Sequence, residues 1–456
     1  MFVSSTGRVK FKDYLKRTVF LGNEPTPELM AIVLVYFVQG ILGLARLAVS
    51  FFLKDELGLS PAELSVLMGF AVIPWTIKPL FGFISDGLPI LGYKRRPYLI
   101  AAGLLGALSW VALATWVDTA VGAALAIALG SVSTNLSDVI ADSLVAERAR
   151  KESLETAGSL QSLCWGSMAF GGIITAYFSG FLLEYFSTKT VFFITATFPL
   201  IVSAVAWLIA EERVNYRANF DSVKEQISLT RKAISNKSIL LPAAFVLLWQ
   251  ATPSSDAAFF YFTTNELGFP PEFLGRVSLV TSIASLIGVW LFQSYFKSVP
   301  FRKIFFWAAI ISAVLGMTTL LLVTHANRAL GIDDRWFSLG DSAILTVMGK
   351  IAWMPLLVLA ARLCPRGVEA TLFALLMSVV NCGGILSALS GGLLTHWLGI
   401  TESNFDNLWL LVVIANVSTL LPLPFLGWLP EANALSQEEE DDGSSPQALE
   451  GEVGAY

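Results

Sequence analysis

The sequence predicts an all-α integral membrane protein of twelve transmembrane helices arranged as two six-helix pseudo-repeats. Three observations carry this prediction. Hydrophobic residues make up 55% of the 456-residue chain and charged residues only 14%, where a soluble domain carries about 25% charge. Apolar stretches long enough to cross a bilayer recur twelve times along the chain. The longest polar connection, 211–238, divides them six and six.

Each crossing needs about 20 predominantly apolar residues. Helices are the expected form because they satisfy their own backbone hydrogen bonds in hydrocarbon. A basic, polar segment, 1–28, leads into the first span, so that span is expected to act as its own insertion signal. Spans one to six then fall at approximately 29–53, 62–84, 97–117, 120–145, 157–182 and 190–210. The second half, 239–430, holds spans at approximately 239–263, 273–296, 301–323, 339–361, 367–397 and 407–429. In span seven the string Gln250-Ala251-Thr252-Pro253-Ser254-Ser255-Asp256 should break the helix at the proline and free carbonyls toward a cavity. The tail, 431–456, carries Glu438-Glu439-Glu440-Asp441-Asp442 followed by Gly443, Ser444, Ser445 and Pro446, a composition expected to be disordered.

Orientation follows from the basic residues. Numbering the loops alternately, 22 Lys and Arg lie on the side of the N-terminus, including Arg95, Arg96, Arg148 and Arg150. The other side has only Lys54, Lys189, Arg328 and Arg335. Both termini are therefore expected in the cytoplasm, with the chain in the cell (inner) membrane. Cys164, Cys364 and Cys382 have no metal-ligand spacing, and with only His325 and His396 no metal site is expected. No P-loop or nucleophile motif interrupts the spans, so neither an enzyme, a cofactor nor a nucleic-acid partner is expected.

The two halves resemble each other. Glu56-Leu57-Gly58-Leu59-Ser60-Pro61 follows span one and Glu266-Leu267-Gly268-Phe269-Pro270-Pro271 follows span seven. Gly171-Gly172-Ile173 in span five matches Gly383-Gly384-Ile385 in span eleven. The offsets of 210 and 212 agree within a small gap, as parallel repeats related by an axis along the membrane normal would give.

Span two ends in Gly82-Phe83-Ile84-Ser85-Asp86, and Gly92-Tyr93-Lys94-Arg95-Arg96 follows. This resembles the signature between spans two and three of the major facilitator superfamily, although the insert Gly87-Leu88-Pro89-Ile90-Leu91 lengthens the loop. The longer string from Pro74 through Lys78 and Pro79 to Asp86, then Arg95-Arg96-Pro97-Tyr98, is more specific. With Tyr36-Phe37-Val38-Gln39-Gly40 and the stretch from Asn135 to Asp142, it resembles the folate–biopterin transporter family over nearly all of 28–430, most like its cyanobacterial members. The resemblance implies transport of folates and related pterins. It also implies a conformational latch at Asp86 with Arg95 and Arg96, to which Lys78 is assigned, although Lys78 lies near a span end and can snorkel.

In that superfamily spans one, four, seven and ten line the central cavity. Here those spans carry polar stripes at helical spacing: Tyr36, Gln39, Gly43, Arg46 and Ser50; Ser131, Asn135, Asp138 and Asp142; Ser342, Thr346, Lys350 and Trp353; and the broken segment ending at Asp256. Cations and acids at membrane depth are costly and usually functional. The candidate substrate-binding residues are Gln39, Arg46, Asn135, Asp138, Gln161, Asp256, Lys350 and Trp353. A carboxylate suits the amino edge of a pterin, Trp353 or Trp165 its flat face, and Arg46 or Lys350 the carboxylates of a glutamyl tail. With the 212 offset Asp138 corresponds to Lys350, and the two are expected either to pair or to hold opposite ends of one substrate. Asp138, Asp142 and Asp256 are the proton-coupling candidates, with pairing to Arg148 or Arg150 the plain alternative for Asp142. Gln39, Asn135 and Gln161 also suit interhelical hydrogen bonding. The expectation is a monomer in the lipid bilayer, moving folate or pterin with protons by alternating access; the alternative is another organic anion or drug-like metabolite.

Overall fold

The computed structural model describes residues 20, 22–149, 154–213, 237–296, 299–362 and 369–430. Twelve crossings are present among them: α1 (Pro27–Glu56), α2 (Pro61–Ser85), α3 (Arg96–Thr115), α4 (Ala120–Arg148), α5 (Ser159–Tyr185), α6 (Thr188–Leu208), α7 in two pieces (Lys237–Gln250 and Asp256–Tyr261), α8 (Pro271–Phe296), α9 (Phe301–Val323), α10 (Asp334–Leu359), α11 (Ala374–Trp397) and α12 (Leu408–Trp428). All but α7 are helical stretches long and apolar enough to span a membrane. No β-strand occurs among the described residues. Of the non-spanning segments read from the sequence, 1–19, 214–236 and the tail 431–456 lie outside the described residues.

The spans read from hydropathy match these helices apart from a few residues at the ends. At span ten the helix starts earlier than expected, at Asp334 and not at 339. Hydropathy misses that turn because it is polar: Asp334 sits in the first turn of α10 and is held by Arg328 at 2.7 Å and by the Asn327 amide at 2.7 Å, where a helix start favours an acid.

Proline accounts for the interruptions of α2 and α7. It lacks an N–H and its ring clashes with the carbonyl four residues back. Helix α2 is therefore broken into Pro61–Ala71, Ile73–Thr76 and Lys78–Gly87 around Pro74 and Pro79, and α7 is open at 251–255 around Pro253. The first turn of α2 is fixed by a capping box between Ser60 and Glu63 with Pro61 beside it.

The repeat is visible in the backbone. Each of the first helices of the two halves ends in a π-turn, Phe52–Glu56 in α1 and Phe262–Glu266 after α7. Each is followed by a glycine at φ 63°, Gly58 and Gly268. That conformation is disfavoured for residues with a Cβ, which explains why the Glu-Leu-Gly string occurs twice. Gly171 packs against the α1 backbone at Phe37 and Ile41, and in the second half Gly383 packs against Gln250 at the end of the first α7 piece.

Each half has its own apolar core, built around Leu29, Ile32, Leu99 and Ile140 in the first and Phe245, Phe305, Leu356 and Leu359 in the second. The halves meet along α5 against α8 and α2 against α11. Near Gly180 of α5 and Gly275 of α8 the two backbones touch, leaving no room for a Cβ on either. At the end of the bundle carrying 57–60 and 267–270, Lys54 Nζ lies 2.8 Å from Asn265 Oδ1, and the Tyr261 hydroxyl donates to the Leu59 carbonyl. Nearer mid-depth, Ser65 donates to the Ala388 carbonyl at 2.8 Å and Asn381 to the Trp75 carbonyl at 3.1 Å.

Candidate functional site

Small residues let α1 and α5 approach until their backbones touch. A Cβ on Gly40 would collide with the Met168 carbonyl, while one on Gly172 would meet nothing. Of the Gly171-Gly172 pair, the first therefore packs on α1 and the second faces open space. That space is a cavity of about 590 Å³ between the halves, within the roughly 300–1,000 Å³ of small-molecule sites. Gln39, Arg46 and Ser50 line it from α1, Trp165 and Gly172 from α5, and Ser278, Ser282 and Ser285 from α8.

Arg46 is exposed, and its guanidinium makes no ion pair or hydrogen bond with any described residue. Trp165 presents 57% of its surface. Gln39 Nε2 is buried without a hydrogen-bond partner. The wall thus offers one free cation, one aromatic face, an unspent amide and a row of hydroxyls.

Beside it lies a charge cluster within the first half. Lys78 Nζ is 2.5 Å from Asp138 Oδ2 and 2.9 Å from Asp142 Oδ2, and the Tyr36 hydroxyl donates to Asp142 Oδ1 at 2.5 Å. Charges at membrane depth persist when paired and hydrogen-bonded. Here two carboxylates share one ammonium, leaving a net negative charge. Asp138 is the more buried acid, with 14% of its side chain accessible against 47% for Asp142. Gln39 connects the two features: its amide lies beside Asp138 without closing a bond through Nε2, and it also lines the cavity.

The structure divides the residues singled out in the sequence. Gln39 and Arg46 share the cavity, and Asp138, Asp142 and Lys78 form the cluster. Lys78 therefore lies with the acids of α4 rather than in a latch between halves. Asp138 does not pair with Lys350, whose Cβ packs on Gly288 of α8 and whose ammonium has no ionic partner among the described residues. Asn135 is fully buried, its Nδ2 bonded at 2.5 Å to the carbonyl freed at Pro74. Trp353 packs against the second-half core, as Trp249 and Met377 do. Gln161 and Asp256 are exposed. Arg148 turns to Thr26 at 2.9 Å rather than to Asp142, and Arg150 lies outside the described residues.

The basic loop is also internal to the first half. The Arg95 and Arg96 backbone N–H groups donate to the Glu211 carboxylate at 2.9 and 3.0 Å, as does that of Lys94. The arrangement places an acid at the start of α3, where the helix dipole favours one. Arg95 pairs with Glu147 at 2.7 Å, and Arg96 donates to the Ile209 carbonyl at 2.6 Å. The Asp86 side chain lies outside the described residues.

The expected cavity walls were spans one, four, seven and ten; the cavity described here is walled by α1, α5 and α8. The α8 hydroxyls were missed, although Ser278, Ser282 and Ser285 recur at steps of four and three in an otherwise apolar helix. A search restricted to spans one, four, seven and ten passes over that stripe.

Residues 39–449 match the BT1 family. A folate-biopterin transporter of Synechocystis sp. is 59% identical over 435 residues, covering 95% of this chain and 88% of that protein. The probable folate-biopterin transporter 2 of Arabidopsis thaliana is 33% identical over 434 residues, covering 90% and 87%. Among solved structures, a D-xylose-proton symporter superposes with a TM-score of 0.65 at 15% identity, covering 89% of this chain and 98% of that one. An inward-facing bacterial homologue of the lysosomal transporter Spinster does so with a TM-score of 0.59 at 13% identity, covering 92% and 98%. These structural likenesses establish the major facilitator fold.

Proposed function

The chain belongs to the BT1 family, and we propose that it carries folates and related pterins across a membrane by alternating access, with a proton as the coupling ion. It is a transporter, not an enzyme. The observation that carries the substrate reading is Arg46, a permanently charged and unpaired guanidinium opening into a cavity between the halves. Its planar fork suits a carboxylate of the glutamyl tail. Trp165 offers a face for the pterin ring, and Asp256, exposed where α7 resumes, a carboxylate for its amino edge. Lys350, unpaired in the second half, is the cation for a second tail carboxylate. A ligand on Arg46 that also touches the α8 hydroxyls bridges the two halves, so its binding favours their closure around it.

Coupling is assigned to the Lys78 cluster. A proton on Asp138 cancels one of two negative charges and leaves Lys78 to Asp142. Gln39 faces both Asp138 and the cavity, so ligand and proton act on one side chain. Co-entering protons offset the roughly 2.3 kcal/mol per charge per 100 mV that opposes anion entry. The basic loops support a reading with both termini in the cytoplasm and the chain in the cell (inner) membrane. In that orientation the end locked by Lys54 and Asn265 faces outward and the conformation is inward-facing.

Uptake of labelled folate into a folate-requiring host, with and without an uncoupler, tests the reading. Saturable uptake that rises as external pH falls, collapses with the uncoupler and resists a panel of unrelated organic anions is expected. Equal competition by those anions defeats the substrate assignment, and accumulation indifferent to pH and uncoupler defeats the coupling.

A further inference from the structure

Helix α9 is interrupted without a proline. It is helical to Gly316 and resumes at Thr319. The Asn416 amide of α12 sits so close to Gly316 that any Cβ there would collide with it, and its Nδ2 donates to the Gly316 carbonyl at 3.1 Å. The interruption turns two consecutive hydroxyls toward α10. Thr318 Oγ1 lies 2.5 Å from Asp341 Oδ1, and Thr319 Oγ1 lies 2.9 Å from Asp341 Oδ2.

Hydrogen counting at this point does not close with an ionised acid. Thr318 Oγ1 is also 2.5 Å from the Leu315 carbonyl oxygen. A threonine hydroxyl has one hydrogen to donate, and two acceptors compete for it at short range. If it goes to Leu315, Thr318 and Asp341 face each other as two oxygens with nothing between them; if it goes to Asp341, the same holds at Leu315. One added proton resolves both contacts, with the acid donating to Thr318 Oγ1 and Thr318 donating to Leu315.

We infer that Asp341 is a proton-binding site in the second half, separate from the Lys78 cluster. Its surroundings supply no alternative countercharge. No ion pair reaches it among the described residues. On the elements packed around α10, Arg276 of α8 pairs with Glu272 at 2.6 Å, Arg328 pairs with Asp334, and His325 lies 3.8 Å from Glu266. Arg302 at the start of α9 donates to the Leu429 carbonyl, Asp341 has no contact with Lys303 or His396 among the described residues, and Lys350 is more than two turns along α10 itself. The groups that touch the carboxyl are the two threonines.

A cavity also lies beside the site. A cavity of about 250 Å³ is lined by Leu345, Met348 and Gly349, which lie four, seven and eight residues beyond Asp341 and so share its helix face. Thr319, Asn416 and Ser255 are also among its lining residues. The volume far exceeds the ~10–15 Å³ that one water needs, and the cavity runs from Thr319, whose hydroxyl is bonded to Asp341, to Ser255 in the break of α7.

Thermal unfolding of the purified, ligand-free protein in detergent, measured from roughly pH 5 to 8 in sodium or choline chloride at one ionic strength, tests the inference. A proton held in the folded state makes stability fall as pH rises and the proton is lost. Asp138→Asn, which removes the proton site of the Lys78 cluster, should still show this fall, and adding Asp341→Asn, which mimics the protonated acid, should abolish it. Thr318→Val removes the oxygen that accepts from the acid and should move the midpoint to lower pH; it serves as the second variant should Asp341→Asn not fold. The same pH dependence in Asp138→Asn with and without Asp341→Asn, an unmoved midpoint in Thr318→Val, or a response to sodium rather than pH overturns the assignment. No substrate enters the measurement, so its failure leaves the folate reading untouched.

Discussion

Lys78 Nζ lies 2.5 Å from Asp138 Oδ2, a pairing of α2 with α4 inside one half that neutralises a cation and an acid the sequence places at membrane depth. Removing one partner leaves the other uncompensated. Lys78→Met should destabilise the protein by about 3–5 kcal/mol, the range for a broken buried pair, and toward the lower end because Asp142 remains half-exposed and screened. Adding Asp138→Leu should recover most of that loss in thermal unfolding without recovering uptake. A double variant no more stable than Lys78→Met would show that the pair does not act as a unit.

Arg46 is expected to bind the glutamyl tail. Arg46→Ala should weaken folate binding roughly 10- to 100-fold, corresponding to a lost charged hydrogen bond of about 1.5–3 kcal/mol. A pterin without the tail should be affected no more than about threefold, below 1 kcal/mol. Arg46→Lys should fall between, because an ammonium lacks the fork. Equilibrium binding of both ligands to purified protein checks this, and parallel losses would place Arg46 elsewhere in the mechanism.

Gly180 and Gly275 touch across the halves, so bulk at either acts on the closure and not on either half's own core. Gly180→Val should express and unfold at nearly the wild-type temperature yet abolish uptake, since the Lys54 end cannot close. Cysteine labelling at Asn265 should rise in this background. Normal transport by Gly180→Val would mean that the close approach is not needed in the cycle.

Asp138→Asn should uncouple transport while preserving exchange. The neutral amide keeps the shape beside Gln39 and Lys78 but cannot carry a proton. In proteoliposomes, accumulation driven by a pH gradient should vanish and exchange of internal for external folate should persist. Retained gradient-driven accumulation would move the coupling role to another acid.

Much of the architecture was legible because it is local. The number of crossings, the break at Pro253 and the division of the chain into two repeats follow from hydropathy, proline chemistry and matched glycines such as Gly58 and Gly268. Of the site, Gln39, Arg46, Asp138 and Asp142 could be read from polar residues at helical spacing, and these converge on the cavity and the adjoining cluster. Lys350, Trp353 and Asn135 share the same spacing signal but have different surroundings, against Gly288, within the second-half core and at the Pro74 carbonyl. Asp341 was passed over because its significance lies in Thr318 and Thr319 on another helix.

By itself, therefore, the sequence determined the membrane class, the twelve helices and the repeat, since each helix satisfies its own backbone and faces hydrocarbon whatever its neighbours are. Only the tertiary structure decided that Asp138 pairs with Lys78 instead of Lys350, and that the cavity opens between α1, α5 and α8. Those outcomes depend on how closely backbones approach at Gly40, Gly171 and Gly180. Contacts between residues 60 or more positions apart leave no periodic trace in the chain, and they set which charges come within reach of each other.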